Sequence, residues 1–551
     1  MDAFDYIIIG AGSAGCVLAN RLSEDSDVSV LLLEAGPADN TPMISTPGAF
    51  AYFMFSKKYN WAYESKPDPS IRKGSPLFTP RGKTLGGSSA INAMVYVRGH
   101  KSDYNRWVEQ GNTGWGWENV LPYFRKSESN SLGACHYHGD SGPLSVTSIK
   151  TQYPLNDVFL QAAGEVGLPL SADFNATQFE GAGTYQFTIK DGQRCGVARG
   201  YLHPAMEREG LTVEVNAHVS RILFDGKCAE GVEYLQNGKL KSVRTRREVL
   251  LCSGAINSPQ ILMCSGVGDQ QELERHGIAV VHNLPGVGKN LQEHVDSCVL
   301  QLSKKRDGLT LSAGGLLKML PDVFSYIGSK TGKLANSITE VGGFFRTRDD
   351  LDVPDVQMHF IPVLFDDSGR DLKLMRRHGY SLHVCVLRPK SRGCITLNSA
   401  DPFAPPVIDY NFLDDPEDAK TLVNGVRLAR KIMAAPVFED WRGEELSPGI
   451  DAQTDEEILQ SCKDTLGLVY HPVGTCKMGH DEMAVVDEEM RVHGLAKLRV
   501  IDGAVMPTLV SGNTNAPIVM MAERAADLIR FGCGRLDAEP ASEKELAQAI
   551  S

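Results

Sequence analysis

A chain of 551 residues is too long for one hydrophobic core, so two or more domains are expected. Hydrophobic residues make up 42% and charged residues 23%, which excludes disordered and fibrous classes and fits a globular protein. A net charge of −12 argues against a nucleic-acid backbone as partner.

Residues 4–34 read strand, glycine turn, helix, strand, acid. Phe4–Ile9 is apolar and β-branched, Ala14–Leu22 has helical character, and Val28–Leu33 reads as a second buried strand. Gly10, Gly12 and Gly15 between them form G-x-G-x-x-G. The first glycine permits the tight turn, the second lets a pyrophosphate approach the backbone, and the third lets helix and strand pack closely. The helix N-terminus offers free N–H groups and a positive dipole end to phosphates. Glu34 follows at the distance where an acid accepts hydrogen bonds from ribose hydroxyls. This is a dinucleotide site, and the motif alone leaves open whether the dinucleotide is NAD or FAD.

The opening is not read as an export signal. Asp2 and Asp5 precede the apolar run, no basic stretch leads it, and glycines break it. A cytoplasmic location is expected. No run of about 20 apolar residues exists, so no transmembrane segment is expected, while peripheral contact with the inner face of a membrane stays open. Twelve cysteines carry no C-x-x-C pair and are expected to be reduced and mostly buried. The tract Cys135-His136-Tyr137-His138 has no second ligand pair at useful spacing, so no metal site is expected.

Further along, residues 45–75 mix aromatics, prolines and charges and read as an excursion from the nucleotide fold. Residues 80–99 form a second Gly/Ser-rich segment with Arg81 and Lys83, able to wrap an extended cofactor with backbone donors. Leu211–Val219, Ile222–Phe224 and Gly231–Tyr234 suggest strands. Val249–Cys252 reads as a buried strand, followed by a helix starting at Ser258-Pro259, with serine as cap and proline first. Residues 497–503 read as a strand ending in Asp502-Gly503, and residues 518–531 as a long helix. Nucleotide-fold segments thus recur at the start, middle and end. The expected fold is α/β, with a discontinuous Rossmann-like domain over 1–44, 76–130, 196–300 and 466–533. A sheet-and-helix (α+β) substrate domain and lid would fill 45–75, 131–195 and 301–465, and residues 534–551 would be a frayed tail.

Four motifs carry a resemblance along nearly the whole chain: GAGSAG at 10–15, GKTLGGSSAINAMVYVRG at 82–99, GAINSPQILMCSGVG at 254–268, and YHPVGTCKMG at 470–479 with GNTNAP at 512–517. The sequence resembles the glucose-methanol-choline (GMC) oxidoreductase family, above all its bacterial FAD-dependent alcohol and choline dehydrogenases. The resemblance implies FAD. It places Gly10, Gly12, Ser13, Ala14, Gly15, Glu34 and Ala35 on the ADP half and Val219 by the adenine. Gly87, Asn92, Ala93 and Val95 would border the flavin and ribityl chain, with Asp502 and Gly503 near the latter. Some family oxidases attach FAD through a histidine just before the asparagine of the second segment. Here that position is Ile91, so non-covalent FAD is expected.

Oxidising an alcohol removes a hydroxyl proton and a carbinol hydride. The flavin takes the hydride, so the protein must manage the proton. Histidine is the natural acceptor near neutral pH, and the YHPVGT match implies His471. The family's partner position, 42 residues on, is Asn513, which can bind the substrate oxygen but cannot act as a base. Asn515 is expected to support the turn aiming Asn513, and His294 in GVGKNLQEH to pack the loop beside the cofactor. His100 and Trp61 are candidates for the pocket border.

The expected reaction is oxidation of a primary alcohol to an aldehyde, with electrons passed to a quinone, another carrier or O₂. Choline is the rival substrate, with Trp61, Tyr63 and Glu340 as candidate parts of a cation cage. The apolar Leu468-Val469 leans toward a neutral alcohol. Two other reaction classes share the family fold, a hydroxynitrile lyase and a fatty-acid photodecarboxylase. His471 and the pair Leu387-Arg388 count against the latter.

Overall fold

In the computed structural model, residues 3–306, 308–366 and 369–532 are described, and two seven-stranded sheets organise them. The expected tail at 534–551 lies outside the described residues.

The first sheet runs in the spatial order Leu211–Glu214, Val30–Leu33, Ala3–Ile9, Lys239–Leu251, Cys228–Gln236, Ala217–Asp225. Its parallel half is buried on both faces, which is why Ile7–Ile9 and Val30–Leu33 are continuous apolar runs and not alternating ones. The long strand Lys239–Leu251 serves two neighbourhoods. Its first half pairs antiparallel with Cys228–Gln236, and its last three residues pair parallel with Leu498–Val500, so the C-terminal part of the chain joins the sheet laid down by the first ten residues.

The second sheet runs Arg442–Ser447, Val295–Ser303, Gly379–Val386, Val356–Ile361, Val341–Phe345, Gly181–Thr184. The short strand Gly467–Leu468 also pairs with Val295-Asp296. The helix Pro416–Met433 packs its buried face on this sheet, with Gly425 against Val384 and Val356.

Several elements depart from expectation. Leu211–Val219 is two strands, broken where Asn216 takes φ = 53° and turns the chain into the antiparallel meander. The boundary expected at residue 300 falls inside the strand Val295–Ser303, and Gly467–Leu468 joins the second sheet although 466 was expected to begin nucleotide-fold sequence. Sequence marks strands, but pairing partners decide which sheet a strand enters.

The helix expected to start at Ser258-Pro259 starts at Gly254, leaving Pro259 inside it. A proline there removes the N–H that would bond the carbonyl four residues back, that of Ala255. Thr475 supplies the missing donor, its Oγ1 lying 2.6 Å from that oxygen. Ser258 is freed from capping, and its hydroxyl donates to Asp502 Oδ2 (2.6 Å).

Candidate active site

The glycine turn is built by steric exclusion. Gly10 has φ = 98°, and a Cβ there would lie 2.7 Å from the Cys252 carbonyl oxygen. A Cβ on Gly15 would lie 1.9 Å from the Gly10 carbonyl oxygen, so the third glycine acts through helix–turn packing. Gly12 caps the helix Ser13–Leu22 with no side-chain bond, which leaves the first-turn amides available to an anion. Gly87 comes from the second glycine segment, where a Cβ would sit 2.8 Å from the Gly12 Cα, so the two segments touch.

These residues open onto a cleft lined by Gly10, Gly12, Ser13, Ala14, Glu34 and Ala35 at one end. Val219, Gly87, Asp502 and Gly503 also line it. Glu34 is buried, accepting from the Ala11 amide at 3.0 Å and the Gly36 amide at 2.8 Å, and burial pushes its carboxyl up to about 7. It therefore ties the glycine turn together besides facing the cleft. Asp502 accepts from Gly254 N, Ser258 Oγ and Ala504 N, holding two helical turns at the cleft wall.

The cleft continues into a second pocket. Ser13, Arg81, Ser88, Thr514 and Ile518 line both. The second pocket holds His471, Asn513, Asn92, Ala93, Val95 and Ile91, with Leu468 and Val469 in its wall. One continuous path thus runs from the uncapped amides of the glycine turn to His471.

The hydrogen bonds around His471 determine its tautomer. His294 Nε2 lies 3.1 Å from the Leu387 carbonyl, which can only accept, so His294 carries its proton there. Burial holds His294 down to about 4, so the ring is neutral and its Nδ1 is an acceptor. That Nδ1 lies 3.0 Å from His471 Nδ1, which must donate. Burial, then the neighbouring His294, His359 and Arg81, keeps His471 well below its ordinary value, so it too is neutral. Its Nε2 therefore presents a lone pair, facing the Asn513 amide nitrogen at 3.2 Å. The Asn513 oxygen is occupied by Gln357 Nε2 at 3.3 Å, which orients the amide with its N–H toward His471.

The backbone is held as firmly as the rings. Glu293 Oε1 accepts from both the His294 and His471 amides, at 2.9 and 2.7 Å. Burial pushes the Glu293 carboxyl up to about 8, and its Oε2 is buried without a partner. Arg81 Nη1 donates to the carbonyl of Tyr470, whose φ is 68°.

Some expected residues stand elsewhere. Trp61 stacks on Tyr63 and lines the nucleotide cleft, with Lys83 Nζ 4.3 Å from its ring centre. Glu340 is buried in bonds to Gln152 N, Asn156 and Asn336 and is outside the catalytic pocket lining. The cation cage of Trp61, Tyr63 and Glu340 is thus not assembled, because Trp61 and Tyr63 stack on each other at the nucleotide cleft while Glu340 is buried in a separate set of hydrogen bonds. His100 caps the helix Lys101–Glu109 through Ser102 N, outside the pocket lining. Asn515 accepts from Ser13 Oγ at 2.6 Å, tying two helix N-termini, while Gln357 aims Asn513. His138 lies between Glu128 and Asp173 at 2.9 and 2.7 Å.

Sequence reasoning missed Gln357, Glu293, and the pair Asp296–His383 at 2.7 Å in the pocket wall. Glu293 and Asp296 flank His294 in one segment, a usable signal. Gln357 sits in an apolar strand with nothing in its spacing to connect it with Asn513.

Residues 4–296 match the N-terminal and residues 389–522 the C-terminal family model of the GMC oxidoreductases. The chain is 46% identical over 529 residues to an alcohol dehydrogenase [acceptor] of Pseudomonas putida, covering 96% of this chain and 95% of that protein. It is also 46% identical over 535 residues to an oxygen-dependent choline dehydrogenase of Chromohalobacter salexigens, with 96% and 95% covered. The structure superposes on pyridoxine 4-oxidase from Mesorbium loti with a TM-score of 0.85 at 29% identity, covering 95% of this chain and 98% of that one.

Proposed function

The chain belongs to the GMC oxidoreductase family, and from that premise we propose that it oxidises a neutral primary alcohol with His471 as base and Asn513 as the group that fixes the alcohol oxygen. Bound FAD supplies the hydride acceptor. The observation that carries this reading is the proton-ordered chain Leu387–His294–His471–Asn513, which leaves His471 Nε2 unprotonated and facing Asn513 inside the pocket.

A hydroxyl set against both groups would give its proton to His471 Nε2 and accept from Asn513 Nδ2. Burial keeps Nε2 unprotonated at neutral pH, so the base is ready without prior titration. Gln357 keeps Asn513 from flipping, and Glu293 keeps the two histidine backbones in register. Gly10, Gly12, Ser13, Ala14, Glu34 and Ala35 would hold the ADP end, Gly15 acting through packing, with Val219 at the adenine. Gly87, Asn92, Ala93, Val95, Asp502 and Gly503 would hold the flavin half. Ile91 lines the pocket at the position of covalent attachment and carries no nucleophile, which supports non-covalent FAD.

Replacing His471 by Ala is expected to leave bound flavin intact by its visible absorbance. Its alcohol-driven bleaching should slow by about 10²–10⁴-fold. Bleaching at the parent rate would remove His471 from the role of base.

A choline substrate has two observations in its favour, the buried Asp296 in the pocket wall with an unpartnered Oδ1 and a second lining carboxylate, Asp366. His383 Nε2 must donate to the Phe365 carbonyl, so one proton is shared between its Nδ1 and Asp296, and the pair is neutral as a unit. That neutrality, with Leu468 and Val469 beside it, favours an uncharged alcohol. We assign the electrons to a quinone or another carrier, and the protein to the cytoplasmic side. An anaerobic panel of alcohols and choline, followed at the flavin absorbance, ranks the substrates. Subsequent addition of air or a quinone separates oxidase from dehydrogenase.

A further inference from the structure

The helix Ala313–Ser329 stands out by what it leaves uncovered. Leu316, Leu317, Leu320, Phe324 and Ile327 are between 47% and 71% exposed, and they fall along one side of the helix. Gly315 and Tyr326 are its only buried residues, Tyr326 reaching the Ser45 carbonyl at 3.3 Å. The helix is fastened by a few contacts and turns its large apolar side chains outward. Exposed Tyr52 and Phe55 come from the 3-10 segment Pro47–Phe55, which packs against the turn Lys333–Ala335 just after the helix. An apolar surface of this kind marks an interaction site.

Its rim is basic although the protein is acidic. Residues 304–333 contain six Lys or Arg against Asp307 and Asp322, a local balance of +4 in a chain of net −12. Lys318 lies on the helix, its Nζ donating to the Arg306 carbonyl, and both side chains are exposed. The Met375 carbonyl accepts from Leu311 N at 2.8 Å, which brings exposed Arg376 next to the helix start. Exposed Lys57 and Lys58 follow Phe55.

Apolar side chains on one helix face with cations at the margin match a helix lying in a lipid interface, its apolar side sunk about 5–10 Å into the headgroup–acyl boundary. A second copy of the chain fits poorly. A two-fold contact centred on this helix would bring two copies of the same basic rim together. The segments flanking the helix also reach the catalytic pocket, since Leu309 and Leu311 pack with Phe50, Ile338 and Phe365, which line it.

We propose that the face of Leu316, Leu317, Leu320, Phe324 and Ile327, with its basic rim, docks the protein on an anionic phospholipid bilayer. Docking there sets the pocket border against the membrane, where apolar alcohols and lipid-soluble acceptors concentrate.

The test is co-sedimentation of the FAD-loaded full chain with vesicles of equimolar phosphatidylcholine and phosphatidylglycerol, and with phosphatidylcholine alone. Binding is expected to the anionic vesicles, weaker to the neutral ones, and reduced by added salt. The variant Leu317→Ser/Phe324→Ser/Ile327→Ser should lower the bound fraction about tenfold or more, with flavin absorbance unchanged. Failure of the parent protein to bind, or equal binding by the variant, overturns the proposal. So does a parent dimer that the variant converts to monomer without any vesicle binding. None of these readouts depends on the alcohol, so they separate from a failure of the catalytic reading.

Discussion

At the scale of residues, the proposed base is set by its neighbours. His471 alone could carry its proton on either nitrogen. The bond from His294 Nε2 to Leu387 leaves one arrangement, in which Nδ1 donates and Nε2 carries a lone pair toward Asn513. Replacing His294 by Phe should remove that restraint and leave the His471 Nδ1 proton without an acceptor. Flavin reduction is expected to slow by about ten- to a hundredfold with flavin still bound, measured by anaerobic stopped flow. The motif around His471 was readable in the sequence, and so was Asn513. The proton order was not, because it depends on Leu387 and Gln357, distant in sequence and ordinary in type.

At the scale of elements, the helix Gly254–Cys264 shows how a break in local rules is repaired from outside. Proline inside the helix reads locally as a helix start, and the expected boundary moved accordingly. The Ala255 carbonyl is satisfied by Thr475, 220 residues away in sequence. Substituting Thr475 by Val should orphan that buried acceptor and cost about 1–3 kcal/mol, read as a lower denaturation midpoint. Because Thr475 follows His471 closely, the same bond links the helix Gly254–Cys264 to the segment bearing His471. The first strand–turn–helix unit is more local. Gly15 is dictated by the Gly10 carbonyl within the unit and only Gly10 by the distant Cys252, so the glycine pattern is legible in the short segment from Phe4 to Glu34.

At the scale of the molecule, buried ionisable groups set the pH response of stability. Glu293 is pushed from 4.5 up to about 8 by burial, so the folded state retains a proton that the unfolded chain has lost. Its contribution is complete below about pH 4.5 and disappears as pH rises through 8. For His138, burial lowers the pKa, but its bonds to Asp173 and Glu128 outweigh that and raise it to about 9. This stability is present below the ordinary 6.5 and lost as pH rises through 9. The buried neutral histidines act oppositely, yet their contribution is already complete above 6.5. The melting temperature is therefore expected to fall between pH 6.5 and 9, with a shallower slope in Glu293→Gln, as scanning calorimetry or flavin fluorescence would record.

The sequence by itself determined the glycine turn, the segments of the first sheet and the family motif that carries His471. Each is written in local spacing: glycines where a Cβ would collide, apolar runs where both sheet faces are covered, a histidine before a fixed turn. Tertiary structure alone decided which strands share a sheet, that Trp61 and Glu340 lie outside the catalytic pocket while Asp296 and His383 line it, and which nitrogen of His471 is free. These depend on hydrogen bonds and packing between residues tens to hundreds of positions apart, and spacing along the chain carries no record of such pairings.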